Sequence, residues 1–142
     1  MTGLDCNILV QLAMDDHMAH SATFRAVASE IAHGNRLALV SLVATEFLHV
    51  VTDPRRFAPP LTMSDALDWT EEFRRNAAID SIEPTRASLD QSLRWMRDFK
   101  LGRKRILDTH LAATLYTHGI TRLLTSNPGD FANFQVLEIV TP

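Results

Sequence analysis

The sequence predicts an α/β fold in which a parallel sheet is covered by helices, and three observations predict it. Short apolar runs of strand character alternate with longer segments whose apolar residues recur at helical spacing. Capping and turn residues stand at nearly every junction between the two. The length, 142 residues, suits one domain with one core, so residues 1–142 are read as a single unit. Strands joined through helices make right-handed crossovers, and such sheets bind ligands in the crevice beyond the strands' carboxyl ends.

Taken in order, "TGLDCNILVQLA" opens as a short strand ending near Asp5, with Asp5 or Asn7 placed to cap the segment that follows. "HSATFRAVASEIAHGN" is a helix with Ser21 as its N-cap, Phe24, Val27, Ala28 and Ile31 on one stripe, and Gly34 as its stop. "RLALVS" supplies a second strand, and Ser41 caps a helix that ends before Pro54. After the Pro-rich loop "PRRFAPPLT", Thr62 and Asp65 resemble a capping box, followed by a stripe of Ala66, Trp69, Phe73 and Ala77. "AIDSIEP" reads as a strand; Thr85 caps a helix whose repeating residues are Leu89, Leu93 and Met96, and which Gly102 ends. "ILDTHLAATLYTHG" is a further helix, and "TRLLT", the turn "SNPGD" and "VLEIV" close the chain with two strands.

The composition excludes some functions. A net charge of −3 lacks the broad basic field of a general nucleic-acid coat. No segment is apolar enough to span a membrane, and the N-terminus lacks the basic region of a secretory signal, so a cytoplasmic protein without membrane association is expected. One cysteine, Cys6, forms no internal disulfide and reads as a small buried residue. Of the basic clusters, Arg103-Lys104-Arg105 matters most because it precedes the helix carrying Asp108.

Acids fall where the fold places ligands. Asp5 ends the first strand, Glu46 lies in the early turns of the helix after the second, and Asp108 opens the helix at 106–117. Asn127 and Asp130 occupy the turn after "RLLT". On that helix Asp108 aligns with Leu111, Ala112 and Leu115, the apolar side, while Thr109, His110 and Thr114 are expected opposite. Carboxylates gathered in a cleft raise one another's pKa unless cations neutralise them. Magnesium and manganese prefer such oxygen ligands, and with them an acidic protein can hold a polyanion and hydrolyse a phosphodiester. The six histidines form no recognised zinc set.

The motifs "LDCNILV", "TEFLHVVTDPRRF", "ILDTHLAATLYTHGITRLLTSNPGDF" and "LEIVTP", in this order, resemble the PIN-domain family and, within it, the VapC-type toxins of toxin–antitoxin pairs. The resemblance implies a three-layer sandwich with a central parallel sheet of about five strands. It implies an endoribonuclease that uses one or two Mg2+ or Mn2+ ions, with Asp5, Glu46 and Asp108 as core acids and metal ligands. The fourth position falls to Asn127 or Asp130, family members often carrying Asp where Asn127 stands. Asn7 and Ser126 match supporting positions; Arg103, Lys104 and Arg105 are candidate phosphate contacts. The implied partners are an RNA substrate, a small antitoxin protein and a second copy of the chain, with the stripe on the helix from about 64 to 77 as the dimer or antitoxin groove. Two other readings stand beside it: a non-catalytic α/β module binding RNA or protein, and a phosphate enzyme using Asp5 as nucleophile, although "LDCN" lacks the second carboxylate such enzymes place two residues on. For each acid a plainer use exists as well: a helix cap for Asp5, a cap or an ion pair with Arg103 or Arg105 for Asp108, an exposed helix position for Glu46, and a turn residue for Asp130.

Overall fold

Two apolar segments, Thr2–Leu4 (β1) and Leu37–Val40 (β2), are buried at every position, as strands covered on both faces must be. In the computed structural model, which describes residues 1–142, they form the middle of one sheet with Ile79–Ile82 (β3), Arg122–Leu124 (β4) and Glu138–Val140 (β5). The strand order is β3-β2-β1-β4-β5 and every neighbouring pair is parallel. Six helices connect them: Cys6–Ala13 (α1), His20–Ala32 (α2), Ser41–Val51 (α3), Met63–Arg75 (α4), Arg86–Asp98 (α5) and Ile106–Thr117 (α6). The chain winds outward from β1 to β3 and then returns to the other side of β1. Right-handed crossovers therefore put α1 to α4 on one face and α5 with α6 on the other. This is the expected three-layer α/β sandwich with five parallel strands. No helix is long and apolar enough to cross a membrane.

Several local readings hold in detail. Thr62 Oγ1 accepts from the Asp65 amide at 3.1 Å, and Thr85 with Ser88 forms a full capping box. Gly34 (φ 79°) and Gly119 (φ 71°) stop α2 and α6 in the left-handed conformation that glycine adopts without a side-chain clash. Others change. Ser21 is not the cap of α2, which starts at His20 after Ala19 without a side-chain cap. Ser41 is the first residue of α3 and caps nothing. The left-handed residue after α5 is Lys100 (φ 52°), and the Leu101 amide bonds the Met96 carbonyl there, so the reversal precedes Gly102.

The stripes of two helices are also corrected. On α5 the inward face is Ser88, Ser92 and Trp95, while Leu89 and Leu93 are exposed. On α2 Phe24 and Ile31 are exposed, and the buried residues are Thr23 and Glu30. The reason is a partner that spacing alone does not reveal. Ser88 Oγ meets Thr117 Oγ1 at 2.8 Å, so small hydroxyl residues draw α5 against α6. Glu30 accepts from Thr2 and Asn35 and pairs with Arg122 at 2.8 Å, which ties α2 to the amino ends of β1 and β4. Burial alone would raise the Glu30 pKa, but the hydrogen bonds from Thr2 and Arg122 hold it below the ordinary value.

Candidate metal centre

The sheet order reverses between β1 and β4, so their carboxyl ends form the crevice where α/β sheets bind ligands. Leu4 lies opposite Leu124 in that pair, which brings the next residues, Asp5 and Thr125, together. Thr125 Oγ1 donates to Asp5 Oδ2 at 2.6 Å, and Asn7 Nδ2 donates to the same oxygen at 2.6 Å. The other oxygen, Oδ1, accepts from the Cys6 amide at 2.6 Å, so Asp5 is at once the cap of α1 and a member of the cluster. Three donors thus fix its carboxylate. Asn7 is held in turn by the Ser126 amide, which donates to its Oδ1 at 3.0 Å, and Ser126 Oγ donates to Gln11 Oε1 at 2.9 Å. Asn7 supports the acid directly and Ser126 supports Asn7. Thr125, fully buried, was missed in the sequence, where its only signal is its position one residue beyond a strand adjacent to β1.

Asp108 and Glu46 arrive from the helices on either face. α6 runs antiparallel to the strands, so its first turn, with Asp108, lies at the same carboxyl edge as the second turn of α3, with Glu46. The side of α6 opposite Asp108, where the sequence expects Thr109, His110 and Thr114, is enclosed as well. Thr109 and Thr114 are fully buried too, because the helix is enclosed by the sheet and by α5. Their hydroxyls donate to the Arg105 and His110 carbonyls at 2.6 and 2.8 Å, which lets polar residues occupy an apolar layer. Asp108 itself is half-buried.

The carboxylates sense one another. Burial, then the negative charges of Asp130 and Asp5, push the Asp108 carboxyl up to about 6 against the pull of Arg105. Burial and the charges of Asp5 and Asp108 raise Glu46. Burial raises Asp5 as well, outweighing its three hydrogen bonds. Asp130, in the short turn Pro128–Phe131, adds its charge to the group, whereas Asn127 is exposed and offers its backbone amide to Thr125 Oγ1 at 3.0 Å. Cys6 is buried among these acids, and burial with the Glu46 and Asp5 charges pushes its thiol far up, which removes it as a nucleophile. Arg105 pairs with Asp130 and stands 4.0 Å from Asp108, while Arg103 and Lys104 are exposed.

No three of these groups close into a ready-made set around a single point. The convergence is an electrostatic neighbourhood and not a preformed cage. Its donors are nevertheless all oxygens, held at one edge of the sheet and opposed by few cations, and burial with like charge raises Asp5, Glu46 and Asp108. That chemistry fits a hard divalent cation with water completing its shell, which commonly needs only one or two protein carboxylates.

Comparison with known proteins places the fold and the family. Ribonuclease VapC24 of Mycobacterium tuberculosis is 27% identical over 142 residues, covering 100% of this chain and 97% of that protein. The VapBC2 structure from Rickettsia felis, bound to a promoter DNA fragment, superposes with a TM-score of 0.73 at 14% identity over 99% of this chain and 97% of its own. Mycobacterium tuberculosis VapC20, a sarcin-ricin loop cleaving toxin, gives 0.69 at 15% identity over 87% of each chain. Both structures share the fold described above. The PIN domain family matches residues 4–137, and the chain belongs to that family.

Proposed function

We propose that this PIN-domain protein is a metal-dependent endoribonuclease and the toxin of a toxin–antitoxin pair. The observation that supports the reading is the electrostatic coupling of acids from separate elements at the carboxyl edge of the sheet, where burial and the charges of neighbouring acids raise Asp5, Glu46 and Asp108. Full-length similarity to a ribonuclease supports it.

Asp5, Glu46 and Asp108 would hold Mg2+ or Mn2+, with Asp130 as the fourth acid and Asn127 contributing only through its backbone. A bound divalent ion supplies an activated water and positive charge against the leaving oxygen. The chain's own residues orient the reaction. Thr125, Asn7 and Cys6 fix the Asp5 oxygens so that no reorganisation is needed when RNA arrives. Arg105 spans Asp108 and Asp130 and limits their repulsion. Arg103 and Lys104, free at the surface beside it, would contact the RNA phosphates. A small antitoxin and a second copy of the chain are the partners this reading expects.

The test is purified protein with end-labelled structured RNA, in Mg2+ or Mn2+ and in EDTA. Cutting is expected only with metal, and Asp5→Asn and Asp108→Asn are expected to abolish it while both variants remain folded. Cutting that survives in EDTA or in both variants would overturn the assignment, and RNA binding without cutting would favour a binding module.

A further inference from the structure

A cavity of about 330 Å³ lies between α1 and the loop that follows α3, at the small end of the volumes that hold ligands. Its apolar walls are Val10, Val50 and Phe57, and its polar lining includes Gln11, His17 and Arg56. Asn7 and Cys6 form the wall it shares with the acid cluster.

We infer that this cavity seats one unpaired nucleotide of the RNA beside the phosphate that is cut, with its base between the apolar walls against Gln11 and its phosphate on Arg56. The inference rests on the ribonuclease reading above and names a subsite for it. Gln11 is the main observation. It is 7% exposed, and its Oε1 accepts from Thr23 Oγ1 at 2.6 Å and from Ser126 Oγ at 2.9 Å. Those two bonds fix the amide plane and leave Nε2 with no protein acceptor at the cavity wall. Nε2 is therefore a donor open to the cavity, positioned by the two bonds on Oε1 and available to an acceptor that enters. His17 also lines the cavity, its ring held by the Ala19 amide, which donates to Nδ1 at 3.1 Å.

Arg56 completes the set. Its neighbour Asp53 is already occupied by Arg55, with three contacts of 2.9 to 3.0 Å, and Arg56 approaches it only at 3.8 Å with 58% of its side chain exposed. Arg56 lines the cavity together with Cys6 and Asn7, the wall next to the acids. An open amide donor, a largely exposed guanidinium paired only at 3.8 Å and apolar walls suit an acceptor-rich anion with a flat ring. A carbonyl oxygen or ring nitrogen at the edge of any of the bases can accept from Gln11 Nε2, so the cavity is expected to take a nucleotide without strong base selection.

The experiment titrates 5′-GMP, UMP, AMP and inorganic phosphate into the full chain in EDTA, observing the Gln11 side-chain amide and the Arg56 Nε resonances. Saturable shifts of the Gln11 amide are expected with each nucleotide, with no Gln11 response to phosphate alone. Arg56→Ala should weaken the nucleotide about tenfold, and Arg56→Lys should recover part of the loss. A Gln11 amide that moves with none of the nucleotides or moves as much with phosphate alone, or an Arg56→Ala variant that binds as well as the parent, would overturn the subsite. RNA cutting by the same preparation separates the two readings: cutting without nucleotide binding removes the subsite alone, and nucleotide binding without metal-dependent cutting removes the ribonuclease reading.

Discussion

Asp108→Asn is expected to make the metal-free protein more stable while it destroys cutting. The Asp108 carboxyl is raised from 3.8 to about 6 by burial and by Asp130 and Asp5, so at neutral pH its ionised form opposes folding. A raised acid imposes no penalty below its unfolded pKa, and its full penalty appears above the folded one. The shift corresponds to an upper limit of about 3 kcal/mol, and water access to the half-buried side chain reduces it to roughly 1–2 kcal/mol. In a domain of this size that is a rise in Tm of about 2–8 °C at pH 7.5 in EDTA. At pH 4.5 the gain should shrink to about a third, since the parent's Asp108 is then largely protonated in the fold. Differential scanning calorimetry of both proteins at the two pH values reads it directly. Added Mg2+ should stabilise the parent more than the variant. A variant no more stable than the parent at pH 7.5, or a gain that does not fall on acidification, would refute the claim that unneutralised charge is stored at this site.

Further outcomes follow from the same packing. Thr125→Val keeps shape but removes the donor to Asp5 and the acceptor for the Asn127 amide; urea unfolding should show a loss of about 2 kcal/mol, together with slower RNA cutting. Gly3→Ala would place a methyl 2.5 Å from Leu115 Cδ1, a side chain buried completely, and should cost about 1–3 kcal/mol by the same assay. Glu30→Gln leaves Arg122 without its buried carboxylate and should cost about 2–4 kcal/mol, while cutting per folded molecule stays unchanged because the pair sits at the opposite edge of the sheet.

Much of the fold was legible because strand and helix differ in period, and β1, β2 and the caps at Thr62 and Thr85 follow local rules. The stripes of α2 and α5 were not, because a serine or a glutamate can face inward when a distant hydroxyl or guanidinium completes it, as Thr117 does for Ser88 and Arg122 for Glu30. The same limit governs the site. Asp5, Glu46 and Asp108 stood out as acids after strands or at helix starts, but Thr125 and Gln11 carry no signal of their own.

The sequence by itself determined the alternation of strands and helices, the acids at their junctions and the membership in a family. Only the tertiary structure decided which acids feel one another, that Arg105 spans Asp108 and Asp130, and that Thr125 and Asn7 hold Asp5. Periodicity is a property of neighbours along the chain, whereas Coulombic coupling and hydrogen-bond completion depend on distances between segments that only the crossover connections and the parallel register set.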